Sequence, residues 1–255
     1  MAKAGRTARR GLTVVLLILL GFLRLGGEAR AQGGMVNLGF ADCAPAGAAT
    51  SAITNTCLSN SGALALMISF SPPMPIRALV AVQADVNIFT TSSTLSPWWH
   101  FESSGCRSGK IAASADFSGL STCTPPWSGQ VFAAMVYNPS DPELGGGAGQ
   151  IRGAAGVIMG DSTSVSPSIE YYAFTLIIQR GGSSGPGSCG GCADRACFVV
   201  DNIKLSQPAW DLAEDVIITQ GRQKAVTYNG GTGAINCPAA VQQKGSWGAI
   251  KAIYR

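Results

Sequence analysis

Six stretches of this chain carry a strand pattern with a period of two, plainest in the first two. No segment of ten residues between them carries convincing helical spacing. In ALALMISF (63–70) Leu64, Leu66, Ile68 and Phe70 share one face, and in LVAVQADVNIF (79–89) Val80, Val82, Val86 and Ile88 oppose Gln83, Asp85 and Asn87. VFAAMVY (131–137), IRGAAGVIM (151–159), EYYAFTLIIQ (170–179) and CFVVDNIKL (197–205) continue the pattern. Successive side chains of a strand point to opposite sides, so each segment predicts a half-buried strand. The stretches SPPMP, NPSDPELGGG and GGSSGPGS between them carry turn chemistry. Strands in succession without intervening helices predict an all-β fold, an antiparallel β-sandwich with two sheets face to face. Beyond Pro208 the pattern weakens: DVIITQGRQKAVTYNG (215–230) reads as a hairpin, and SWGAIKAIYR (246–255) as a terminal helical turn with Trp247, Ile250 and Tyr254 on one face. The expected organisation is a sandwich over 32–207, with 208–255 packed on it.

The first 31 residues read as a secretory leader. Lys3, Arg6, Arg9 and Arg10 precede the apolar run Leu12–Leu23, and Ala29 and Ala31 place small residues before a cleavage at Gln32. That run is short for a spanning helix, which needs roughly 20 residues. No second apolar stretch of spanning length follows, so no transmembrane segment is expected after cleavage. The leader takes six basic residues and Glu28 with it, so the 18 basic and 14 acidic residues of the whole chain become 12 and 13, a net charge of −1 instead of +4. A chain without a basic stripe lacks the electrostatic footprint for phosphate backbones, which excludes nucleic acid as the expected partner. The expected location is secreted or at the cell surface.

All eight cysteines, Cys43, Cys57, Cys106, Cys123, Cys189, Cys192, Cys197 and Cys237, follow the leader. An even count in an exported chain predicts disulfides. Nearness in sequence suggests Cys43 with Cys57 and Cys106 with Cys123, then Cys197 with Cys189 or Cys192 and the other with Cys237. The C-x2-C-x4-C run at 189–197 also has thiolate spacing suited to zinc, but a zinc ribbon uses two such hooks and here there is one. A redox C-x-x-C opens a helix in a βαβ setting, whereas this one lies in a Gly/Ser-rich loop. The reading is therefore structural bridges, with no metal and no cofactor.

Catalytic sets are poorly furnished. Gly160-Asp161-Ser162 resembles the nucleophile block of GDS-type esterases, but a serine needs a base, and the only histidine, His100, lies upstream. A polar turn is the plainer reading, and His100 reads as a half-buried polar residue beside aromatics. Asp85, Glu102, Asp116 and Glu170 are candidates for a glycosidase pair, which needs a set separation that sequence does not give. Asp141 and Glu143 in NPSDPEL are a weak cue for calcium, since no EF-hand loop is present. In SPWWHF, Trp98 and Trp99 would point to opposite faces of an extended strand. One would then be exposed, and with Trp127 could stack on a sugar ring or anchor a protein.

LSPWWHF, the C-x2-C-x4-C loop leading into FVVDNIKLSQP, and the closing SWGAIKAIYR resemble features of uncharacterised exported bacterial proteins. The strand order is loosely similar to cohesin-like and carbohydrate-binding jelly-roll modules, and FVVDNIKL resembles their last strand. The resemblance implies a jelly-roll or cohesin-like sandwich that binds a glycan or an extracellular protein, or serves cell-surface structure, without catalysis. A secreted hydrolase working through a carboxylate pair is the alternative.

Overall fold

The computed structural model describes residues 34–230, apart from 42, 45–47, 121, 141–142 and 209–213. The chain divides between Gln32 and Gly33 into two units, and everything below concerns the second. The expected leader, Asp141, Cys237 and the SWGAIKAIYR segment lie outside the described residues.

Fourteen strands follow in order: β1 (Met35–Phe40), β2 (Ala52–Ile53), β3 (Ala63–Ser71), β4 (Ile76–Leu79), β5 (Ala81–Thr90), β6 (Ile111–Ser114), β7 (Val131–Asn138), β8 (Ala148–Val157), β9 (Thr163–Val165), β10 (Tyr171–Gln179), β11 (Ala196–Ser206), β12 (Val216–Ile218), β13 (Gly221–Gln223) and β14 (Ala225–Tyr228). Among the described residues there is no α-helix, only 3-10 turns at Pro97–Trp99 and Met159–Asp161. Five strands make one sheet in the order β13-β1-β3-β10-β6. Seven make the other, β2-β14-β11-β5-β8-β7 with β12 also on β11, and β4 pairs β9 apart from both. Pairing is antiparallel except β1 with β13 and β14 with β2. The all-β sandwich expected from the alternation is what the chain forms, and all six alternating segments are strands.

The inner faces hold the core. Leu64, Leu66, Ile68 and Phe70 from β3, with Phe174, Leu176 and Ile178 from β10, lie buried in one cluster with Val82, Val86 and Ile88 of β5 and Phe198 and Val200 of β11. Each such side chain contributes about 1.5–3 kcal/mol when fully buried. Phe40 of β1 meets Phe198 of β11 edge to face, ring centroids 6.1 Å apart, and so ties the sheets together. The five-stranded sheet is also covered on its other side, where Met67 and Tyr172 pack with Phe117 and Cys43. By contrast β7 alternates half-buried and exposed residues along its whole length.

Two expectations are corrected. The segment read as a hairpin supplies three short strands that pair with β1 and β11 rather than with one another. Its chain weaves between the sheets because β12 and β14 both complete the same edge of β11 while β13 completes β1. The disulfides also ignore sequence proximity: Cys43 joins Cys123, Cys57 joins Cys192 and Cys106 joins Cys189, across 80, 135 and 83 residues. Loops that are distant in sequence meet at the ends of a sandwich, and there the Cα atoms of each pair come within 5.0–6.0 Å, the reach of a bridge. Cys189 and Cys192 thus hold two different loops. Cys197 is bonded as well, so it pairs with neither of them.

Candidate functional site

The tryptophans of SPWWHF do not form a strand. Pro97 opens a 3-10 turn, with Trp99 N–H donating to Ser96 O at 2.9 Å and Trp98 N–H to Gly190 O at 2.9 Å. The tight turn swings both indoles to the same side, and both are completely buried. Trp98 stacks on Tyr228 with centroids 5.4 Å apart, while Trp99 stands edge-on to Trp98, Tyr228 and Phe198. Neither ring faces solvent, contrary to the opposite-facing arrangement that an extended strand implies. Trp127 is half-buried against the core and donates its indole N–H to Ala173 O at 2.7 Å.

Arg107 lies over Trp98, its guanidinium carbon 3.6 Å from the ring centroid, and is 1% exposed. It donates to the backbone carbonyls of Gly181, Trp98 and Gln179. Burial pulls its pKa down to about 10, which leaves it charged at neutral pH. Around it, Cys106–Cys189 and Cys57–Cys192 clamp the 180–195 loop. Gly191, at φ +95°, brings its backbone against the Ser96 side chain where a Cβ would collide. The C-x2-C-x4-C loop is a stapled lid over an aromatic core. Its three cysteines are all bonded, so none of them is a free thiol.

The remaining candidates are dispersed. His100 is held on both ring nitrogens, by Glu102 Oε1 at 2.7 Å and Leu95 O at 3.1 Å, in the wall of a cavity of about 520 Å³. The ring fastens two loop segments and has no nitrogen left for a substrate. Gly160-Asp161-Ser162 is a polar turn leading into β9. Asp116 accepts from Ser118 N–H at 2.9 Å, and Glu170 accepts from Asn37 at 2.9 Å and Ser69 at 2.6 Å. Among the described residues no three His, Cys, Asp or Glu side chains converge to hold a metal.

The structure does assemble one surface that the sequence reading missed. On the outer face of the seven-stranded sheet, Phe132 and Val136 of β7 are 57% and 71% exposed, with Ala134 exposed between them. The register sets them beside Gly156, Arg152 and Ala154 of β8, which in turn lie beside Ala81, Asp85 and Gln83 of β5. Small residues therefore floor a shallow track from Phe132 inward. A polar band borders it: Arg152 Nε meets Asp85 Oδ1 at 2.7 Å, and Asn202 Nδ2 donates to Asp85 Oδ2 and Asp201 Oδ2, each at 3.2 Å. A bulge between Val200 and Asn202 turns both Asp201 and Asn202 toward that band. Gln150 and Asn87 continue it, 3.4 Å apart. An apolar ring beside a flat floor and a row of amides suits a ligand with one apolar face and a rim of hydroxyls.

The site and fold define a disulfide-stapled β-sandwich with one open, amide-bordered sheet face. Its bridges point to an oxidising environment outside the cytoplasm. No family model and no curated protein matches the chain. Among the described residues no helix is long and apolar enough to cross a membrane.

Proposed function

We propose that this is an exported, non-catalytic binding module that holds a glycan on the outer face of its seven-stranded sheet. The observation that carries the reading is Phe132, an aromatic ring 57% exposed on a floor of Ala134, Ala154 and Gly156. Sugar rings stack on such a side chain while Gln83, Gln150 and the Arg152–Asp85 pair supply hydrogen bonds at the margin. On this face Asp85 accepts hydrogen bonds on both oxygens, and away from it His100 is occupied on both nitrogens, which supports binding over hydrolysis.

The test is a polysaccharide and glycan-array screen of residues 32–255, repeated with Phe132→Ala. A defined glycan is expected to bind, and the variant to lose at least about 2 kcal/mol of binding energy, roughly thirtyfold in affinity. The fold should change by less than about 0.5 kcal/mol, since the ring is on the surface. Absence of any glycan ligand, or equal binding by the variant, refutes the assignment. Release of reducing sugar from a bound glycan would favour the hydrolase.

A further inference from the structure

The edge of the seven-stranded sheet offers a second kind of contact, independent of any glycan on the face. Among the described residues β7 pairs β8 on one side and no strand on the other. β6, the edge of the opposite sheet, pairs only β10 among the described residues. Between these two edges runs an open groove of about 410 Å³, lined by Ala113, Ser114, Asp116, Val131 and Ala133 among others. Natural edge strands are blunted by lysine, proline or a bulge. Val131–Asn138 carries no charged residue and no proline, and its register with β8 is unbroken over eight residues. Ala113, Ser114, Ala115 and Ala133 leave room along the groove for an incoming backbone, with Phe117 the one large side chain on its wall.

Charge selects the occupant. Asp116 lines the groove beside Val131, and the Asp161 carboxylate lies 2.8 Å from where a Cβ on Gly129 would stand, at the same N-terminal end of β7. Neither carboxylate takes part in the ion pairs His100–Glu102, Arg152–Asp85 and Lys204–Asp215. A hydrogen bond from Ser118 holds the Asp116 carboxyl below its ordinary range, which keeps it ionised. A second copy is a poor occupant: antiparallel pairing of β7 with itself sets its own C-terminal end, Tyr137 and Asn138, which carries no basic side chain, against these acids.

We infer that β7 accepts an extended segment of a partner protein by antiparallel strand addition, with basic residues at the C-terminal end of that segment facing Asp116 and Asp161. Main-chain hydrogen bonds supply the affinity and the two carboxylates set the direction. The groove then becomes the boundary of an enlarged sheet.

The experiment titrates the protein with three blocked peptides and maps amide protection by hydrogen exchange. One alternates threonine and valine and ends in two arginines, the second ends in two glutamates, and the third is the arginine peptide with alternate backbone nitrogens methylated. The arginine peptide is expected to bind and to protect amides within Val131–Asn138. The glutamate peptide should be at least about tenfold weaker, the scale of two exposed ion pairs, and the methylated one should not bind. The double variant Asp116→Asn, Asp161→Asn should fold normally and bind both charged peptides within about threefold of each other. Protection outside β7, indifference to terminal charge in the parent protein, or binding of the methylated peptide overturns the inference. So does a dimer whose β7 amides are protected before any peptide is added. Failure of glycan binding leaves each of these readouts unchanged.

Discussion

A buried arginine without a carboxylate partner is costly unless its donors are used, and Arg107 uses them on three carbonyls and the face of Trp98. Removing it strands those oxygens in a dry setting, where each unsatisfied group costs about 1–3 kcal/mol. Arg107→Ala should therefore lower unfolding free energy by at least about 3 kcal/mol, measured by denaturant titration. Arg107→Lys keeps the charge but cannot fork to three acceptors, and should fall between the two. Equal stability of Arg107→Ala and the parent would show that the three carbonyls find other donors. The residue acts as the centre of the lid, joining the turn at Pro97–Trp99 to the strand end at Gln179 and the loop at Gly181.

At the scale of elements, β12 is short and its attachment has an electrostatic component. Asp215, just before it, meets Lys204 of the strand it pairs with at 2.7 Å, and that hydrogen bond is the main reason the Asp215 carboxyl is held below its ordinary value of 3.8. A depressed carboxylate contributes stability above its unfolded pKa and loses it as pH falls through the folded one. The stability difference between the parent and Lys204→Met should therefore be present at neutral pH and be lost as pH falls through the lowered pKa of Asp215. A difference independent of pH would assign the effect to packing of the lysine stem. The six long strands were legible because alternation reports burial on one side. β1 carried the same signal in Val36, Leu38 and Phe40 but is short, and β6, Ile-Ala-Ala-Ser, has two central alanines too small to mark a face. Phe132 escaped notice for a physical reason. VFAAMVY is apolar on both faces, and only its position at a sheet edge, which depends on strand order, reveals that one face meets water. The paired tryptophans misled because Pro97 replaced the extended backbone, on which the facing argument depended, with a turn.

For the molecule as a whole, the bridges close long loops, so they constrain the unfolded chain strongly. Breaking Cys57–Cys192 by a Cys57→Ser, Cys192→Ser double substitution should cost about 2–5 kcal/mol. Intact mass of the oxidised chain should lie about 8 Da below the reduced value, one hydrogen for each of its eight cysteines. Peptide mapping should recover 43–123, 57–192 and 106–189, and should place Cys197 with Cys237, the cysteine that remains by count. Two alkylatable thiols in the unreduced protein would contradict this.

The pairing has a consequence for how the protein is made. As the chain emerges from its N-terminus, Cys43 and Cys57 appear long before Cys123 and Cys192, the sulfurs they finally hold. An oxidant that seals thiols in order of appearance forms 43–57 first, a linkage that must later be undone by exchange. Yield should therefore be limited by isomerisation rather than oxidation: supplementing an oxidising refolding mixture with a disulfide isomerase should raise the native fraction severalfold, whereas more oxidant alone should trap scrambled species.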